Sequence, residues 1–116
     1  MVSFQHGLED DVVVFSLKGD LLQKDENCVQ LYGQLVEHLD SKRKKFIVDL
    51  AGIGDKLASP FYGLLIKLQL TVNERQAELV IANYQKIKRI LIVTKLITVF
   101  QCFDSLAEAK QHFAKK

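Results

Sequence analysis

Tryptophan is absent, proline occurs once and cysteine twice in the 116 residues. A single proline argues against a disordered Pro-rich spacer. Cys28 and Cys102 stand far apart and form no CxxC pair, so they outline no disulfide framework; a reducing cytoplasm is the simplest compartment. The opening MVSFQHGLEDD turns acidic by Glu9 and has no basic segment followed by an apolar one, so it does not read as a signal peptide. The longest mostly apolar stretch, Phe61 to Leu70, is interrupted by Gly63, Lys67 and Gln69 and is too short to span a bilayer. A formal charge of +2 is too small to argue for nucleic acid or an anionic membrane. With 48% apolar and 26% charged residues, the chain has the composition of one globular domain over residues 1–116, long enough to bury a core without staples.

The hydrophobic period changes several times along the chain. Val2, Phe4 and His6 alternate with polar neighbours, as in a half-buried strand, and Gly7 to Asp11 reads as a turn. Val12 to Lys18 is β-branched and aromatic, a second strand that Gly19-Asp20 ends. Cys28, Leu31, Tyr32, Leu35, Val36 and Leu39 then trace one helical face, with Asp25 as its N-cap. Phe46 to Leu50 is a short, nearly continuous apolar strand, as expected of a central strand covered on both faces. Ala51 to Ala58 reads as a loop. Ser59-Pro60 predicts a helix start with Ser59 as the cap, and Phe61, Leu64, Leu65, Leu68 and Val72 mark that helix's core stripe.

Leu79 to Ala82 is another buried strand, Asn83 a turn or cap residue, and Ile87, Ile90 and Leu91 lie at helical spacing. Val99 to Phe103 reads as the last strand. Ser105 and Glu108 fit a capping box that opens a final helix with Leu106, Ala109 and Phe113 inward. The resulting order, β-β-α-β-α-β-α-β-α, requires crossovers after the third element. The predicted fold class is therefore α/β: a mixed sheet with parallel central strands and four helices.

The order and several local patterns resemble the STAS family of anti-sigma-factor antagonists, over nearly the whole chain. VVVFSLKGDL (Val12 to Leu21) is similar to the family's strand ending in Gly-acid-Leu. FIVDLAGI (Phe46 to Ile53) resembles its I-V-L-D-L-S-G-V strand and turn. Asn83 to Ala109 tracks its third helix, last strand and final helix. The resemblance implies a non-enzymatic module that needs no cofactor and docks onto an anti-sigma factor of the serine-kinase type, freeing a sigma factor. The alternative it admits, second to that reading, is a STAS subunit of another assembly, such as a stress-signalling scaffold or a lipid-transport complex. The family's D-S-S-G-L-G motif departs here to Leu57-Ala58-Ser59-Pro60-Phe61-Tyr62: Ala58 stands at the usual phosphoacceptor, and Ser59 matches the second serine.

Partner-binding residues implied by this alignment are Asp20, Asp55, Lys56, Leu57, Ala58, Ser59, Tyr62 and Ile66. Ser59 is the candidate phosphoacceptor, where phosphate would add close to two negative charges. Against that stands its reading as an N-cap whose hydroxyl an amide of the first turn holds, which Pro60 favours. Tyr62, Ile66 and Leu70 form a second apolar stripe that faces either a partner or another helix of the fold. The basic run Lys42 to Lys45, with Lys86, Lys88 and Arg89, suits an acidic partner or a solvated face better than nucleic acid, since no stacking aromatics interleave it.

A small phosphoryl-handling enzyme is the rival class. AGIGDKLAS matches neither GxxxxGK[ST] nor GxGxxG, and neither cysteine has a histidine nearby in sequence. His6, His38 and His112 are far apart in sequence with no metal-ligand spacing. Asp49 and Asp55 are placed to pair across the loop, although Asp49 also suits a strand end.

Overall fold

A computed structural model describes residues 3–21 and 26–114, the side chains of Leu21, Asp55 and Lys56 excepted. The expected N-cap Asp25 and the alternating Val2 lie outside the described residues. The observed order is β1 (Ser3–Glu9), β2 (Val12–Leu21), α1 (Glu26–Asp40), β3 (Lys45–Leu57), α2 (Ser59–Glu74), β4 (Glu78–Ala82), α3 (Lys88–Val93), a single 3-10 turn (Leu96–Thr98), β5 (Gln101–Phe103) and α4 (Leu106–Ala114). Five strands lie side by side in the order β1-β2-β3-β4-β5. Only the first pair is antiparallel; β2, β3, β4 and β5 run parallel. The mixed α/β sheet with parallel central strands and four helices is the expected architecture.

Each crossover buries one face. Phe46, Val48 and Leu50 point into the main core with Leu31 and Leu35 of α1, Leu65 and Leu68 of α2, and Leu91 of α3. Ile47 and Val80 point the other way, under Ala109 and Phe113 of α4. This two-sided burial is why β3 and β4 read as unbroken apolar runs. Ser105 caps α4 as expected, its Oγ accepting the Glu108 amide at 3.1 Å.

Three local expectations are corrected. The first turn is shorter than Gly7 to Asp11: β1 continues to Glu9, and Asp10 and Asp11 alone turn the chain with φ of 48° and 71°. Two consecutive left-handed residues match the right-handed twist of a hairpin, and aspartate tolerates that conformation. The last strand begins at Gln101 because Leu96 to Thr98 form the 3-10 turn and leave Val99 outside the ladder.

The third correction matters most for function. Ala51 to Leu57 is strand, not loop, and pairs with β2 as far as Leu21, so β2 does not stop at Asp20. Bulges between Ser16 and Lys18 and between Gly19 and Leu21 let β3 carry extra residues and bend. The glycines that suggested a turn are there for close approach. A Cβ at Gly52 would meet Lys18 Cγ at 2.9 Å and the Leu17 carbonyl at 3.0 Å; one at Gly54 would lie 1.7 Å from Asp20 Oδ1.

Candidate functional site

The β2–β3 extension delivers the chain to the first turn of α2, where most of the expected partner-binding residues gather. Ile53 is buried and anchors the extension to the main core. Lys86 clamps it from the far side, its Nζ donating to the Ile53 carbonyl at 2.6 Å. Asp20 sits at the end of β2 against Gly54. Leu57, half-buried, packs on the core and hands over to Ala58 and Ser59.

Ser59 does not cap α2. Ala58 occupies the N-cap position with extended backbone (φ −115°, ψ −178°), and no side chain caps the helix there. Ser59 is the first helical residue and Pro60 the second. The residue before a proline is usually pushed to extended backbone, and here Ser59 is helical regardless. Its side chain is exposed, and its hydroxyl forms no hydrogen bond among the described residues. The Phe61 amide instead closes the first turn on the Ala58 carbonyl at 2.9 Å.

Beyond this turn the second apolar stripe divides. Tyr62 and Ile66 are half-buried and pack on the core, Tyr62 edge-on to Phe61 at 5.3 Å between ring centres. Burial raises the Tyr62 phenol above its ordinary value. Leu70 is 55% exposed. The other flank of α2 meets α1 in a cleft of about 370 Å³ lined by Cys28, Val29, Tyr32, Pro60, Gly63 and Lys67, among others. Lys67 Nζ lies 4.2 Å over the Tyr32 ring, and Thr71 donates to the Tyr32 hydroxyl at 3.3 Å. The share of α1 in this surface escaped the sequence reading, although Val29, off the helix's core face and 65% exposed, was its one signal. A second exposed apolar group, Ile90, Ile92, Val93 and Val99, also escaped it.

The remaining candidates separate. Lys42 to Lys45 lie at the start of β3, whereas Lys86, Lys88 and Arg89 follow the end of the parallel strand β4, so the two basic groups occupy opposite ends of the sheet. Lys44 donates to the Arg75 carbonyl at the end of α2, and Lys88 lies 5.8 Å from the Tyr84 ring centre. Asp49 is occupied by the Asn83 amide and the Ala51 N–H, which makes it a strand-end tie. The histidines do not stay apart: His6 and His38 are in contact, and His112 pairs with Glu78. Among the described residues no group of three or more potential ligands could hold a metal ion, and no helix is long and apolar enough to cross a membrane.

No family model matches the chain, and no curated relative is found by sequence. Solved structures are similar in fold. A Thermotoga maritima protein provisionally assigned as an anti-sigma factor antagonist superposes with a TM-score of 0.79 at 19% identity, over 94% of this chain and 92% of its own. Its NMR structure gives 0.75 at 20% identity, over 97% and 90%. An anti-sigma factor antagonist from Mycobacterium paratuberculosis gives 0.77 at 16% identity, over 97% and 93%. The likeness is one of fold, covers nearly the full length of both partners in each comparison, and shows that this chain folds as a STAS domain does.

Proposed function

We propose that this chain is a non-enzymatic, cytoplasmic docking module of the anti-sigma-factor-antagonist kind. Its contact surface is the β2–β3 extension and the first turns of α2: Asp20, Asp55, Lys56, Leu57, Ala58, Ser59, Tyr62 and Ile66. The partner is an anti-sigma factor of the serine-kinase type, and binding it controls transcription. The observation that carries this reading is the exposed, uncommitted hydroxyl of Ser59 at the helix start, beside half-buried apolar residues. Docking there requires shape and apolar complementarity rather than bond chemistry, so no cofactor enters. A phosphate on Ser59 would place close to two negative charges inside the contact and release the partner.

Ala58, where the resembling family carries its phosphoacceptor, favours a second reading: a STAS subunit of a stress-signalling or lipid-transport assembly that docks without phosphate control. One experiment separates them. The chain is mixed with a purified anti-sigma factor of the serine-kinase type, and binding is measured for wild type, Ser59→Glu and Leu8→Glu. Leu8 is exposed on the far edge strand. Binding weakened at least about tenfold by Ser59→Glu and unchanged by Leu8→Glu supports the proposal. Equal binding by all three overturns the docking surface. Incubation with ATP follows: a one-phosphate mass gain that vanishes in Ser59→Ala supports the phosphate control, and no gain with intact binding leaves the second reading.

A further inference from the structure

His6 and His38 lie far apart in sequence, yet strand pairing and helix packing bring them together. His6 projects from the edge strand β1, opposite Phe15 of β2. His38 comes from the last turn of α1. His38 Nε2 stands 3.3 Å from His6 Nδ1, and the ring centres are 5.3 Å apart at 76°. Among the described residues neither ring has any other hydrogen-bond partner.

That spacing lies at the long end of hydrogen-bond reach, a little beyond the roughly 2.7–3.2 Å range of N–H···O bonds. It matches an edge of a coordination tetrahedron. A zinc ion with nitrogens at about 2.0–2.1 Å holds two of them about 3.3–3.4 Å apart, with the ring centres about 5.2 Å apart. Both separations agree with those observed. We propose that His6 Nδ1 and His38 Nε2 form a two-histidine site for a borderline divalent transition ion, Zn²⁺ or Ni²⁺, which bridges β1 and α1.

The surroundings fit this use. Phe15, buried, lies 5.8 Å from the His6 ring and 6.0 Å from the His38 ring, and Phe4 lies 6.2 Å from His6, so aromatic packing sets both orientations. His6 is exposed and lines an open cleft of about 520 Å³ together with Asn27, Gln30, Gln34 and Glu37. Burial, then the neighbouring His6 and Arg43, hold the His38 pKa below its ordinary value, against a smaller opposing effect of Glu37. Imidazole nitrogen is the ligand type these ions prefer. With two protein ligands the site is an open one, and it ties an edge strand to the helix over it.

The test uses the full chain without a histidine tag, titrated with zinc chloride or nickel chloride. Saturable binding at one equivalent and a melting temperature that climbs with metal concentration are expected, since the ion binds only the folded arrangement. His6→Ala and His38→Ala should each weaken binding about tenfold or more, which is about 1.4 kcal/mol; His112→Ala should leave it unchanged. Should His38→Ala fail to fold, imidazole ¹⁵N spectra of the wild type decide, with metal shifting His6 Nδ1 and His38 Nε2 and leaving His112 in place. No saturable binding at millimolar metal, binding indifferent to His6→Ala, or a shift confined to His112 overturns the proposal.

Discussion

The side-chain amide of Asn83 donates to Asp49 Oδ1 at 2.8 Å, and the same oxygen accepts the Ala51 N–H at 3.1 Å. Asp49 is the last residue of β3 to pair with β4, and Asn83 is the first residue beyond β4, in the left-handed conformation at φ 57°. One carboxylate thus fixes the point where the two central strands diverge, β3 toward the α2 surface and the chain after β4 toward α3. Asp49→Ala strips two donors of their acceptor and should cost about 1–3 kcal/mol in urea unfolding. A double-mutant cycle with Asn83→Ala should show a coupling of at least about 0.5 kcal/mol; additive effects would mean the tie is not energetic.

Whether a feature is legible in the sequence depends on the range of the interaction that decides it. The element order was legible because helix and strand periods are local: Leu31 and Leu35 repeat along one face, and Phe46 to Leu50 is one run. The position of the α2 cap was not, because Pro60 lacks an amide hydrogen that neither the first nor the second helical position needs. Only the backbone angles of Ala58 distinguish the two. The extension of β3 was hidden by Gly52 and Gly54, residues a turn and a tightly packed strand both require. The contact between His6 and His38 depends on long-range packing, to which spacing along the chain is blind.

The first turn of α2 gives a prediction opposite to the one its serine suggested. With its hydroxyl exposed and unbonded, Ser59→Ala should change stability by less than about 0.5 kcal/mol. Ala58→Ser should stabilise by about 0.5–2 kcal/mol, since it places a hydroxyl at a vacant cap of suitable extended backbone. Urea midpoints of the two variants check both. A larger loss in Ser59→Ala than gain in Ala58→Ser would restore Ser59 as the cap.

Core and near-core positions on α2 should respond in opposite directions. Leu68 is 1% exposed in the main cluster, and Leu68→Ala should cost about 2–5 kcal/mol. Its neighbour Gln69 is 8% exposed; its amide nitrogen bonds Asn73 at 3.1 Å, but its Oε1 is buried without a partner. Gln69→Leu removes that unsatisfied oxygen and leaves Asn73 free to meet water, so it should stabilise by about 1 kcal/mol. Chemical denaturation of both variants is the measurement, and a destabilised Gln69→Leu would show that the oxygen is satisfied in solution.

The Cys102 thiol sits on β5 at the sheet edge, partly buried and 3.9 Å from the Phe100 carbonyl. Burial pushes its pKa up to about 11. Only the thiolate attacks, so alkylation of Cys102 in the folded chain at pH 8 should be more than about a hundredfold slower than that of a free thiol of pKa about 8.5. The rate should climb about tenfold per pH unit until pH approaches 11. Stability carries the same signature. Well below about pH 8.5 the thiol is protonated in both folded and unfolded chains and contributes no pH dependence. Between about pH 8.5 and 11 the unfolded chain has lost the proton that the folded chain still holds, so stability falls as pH rises through that window. Mass spectrometry of labelled peptides separates Cys102 from the buried Cys28. Labelling of Cys102 at pH 8 as fast as a free thiol would mean that β5 opens readily, and the pH profile would then follow the opening rather than the burial of the sulfur.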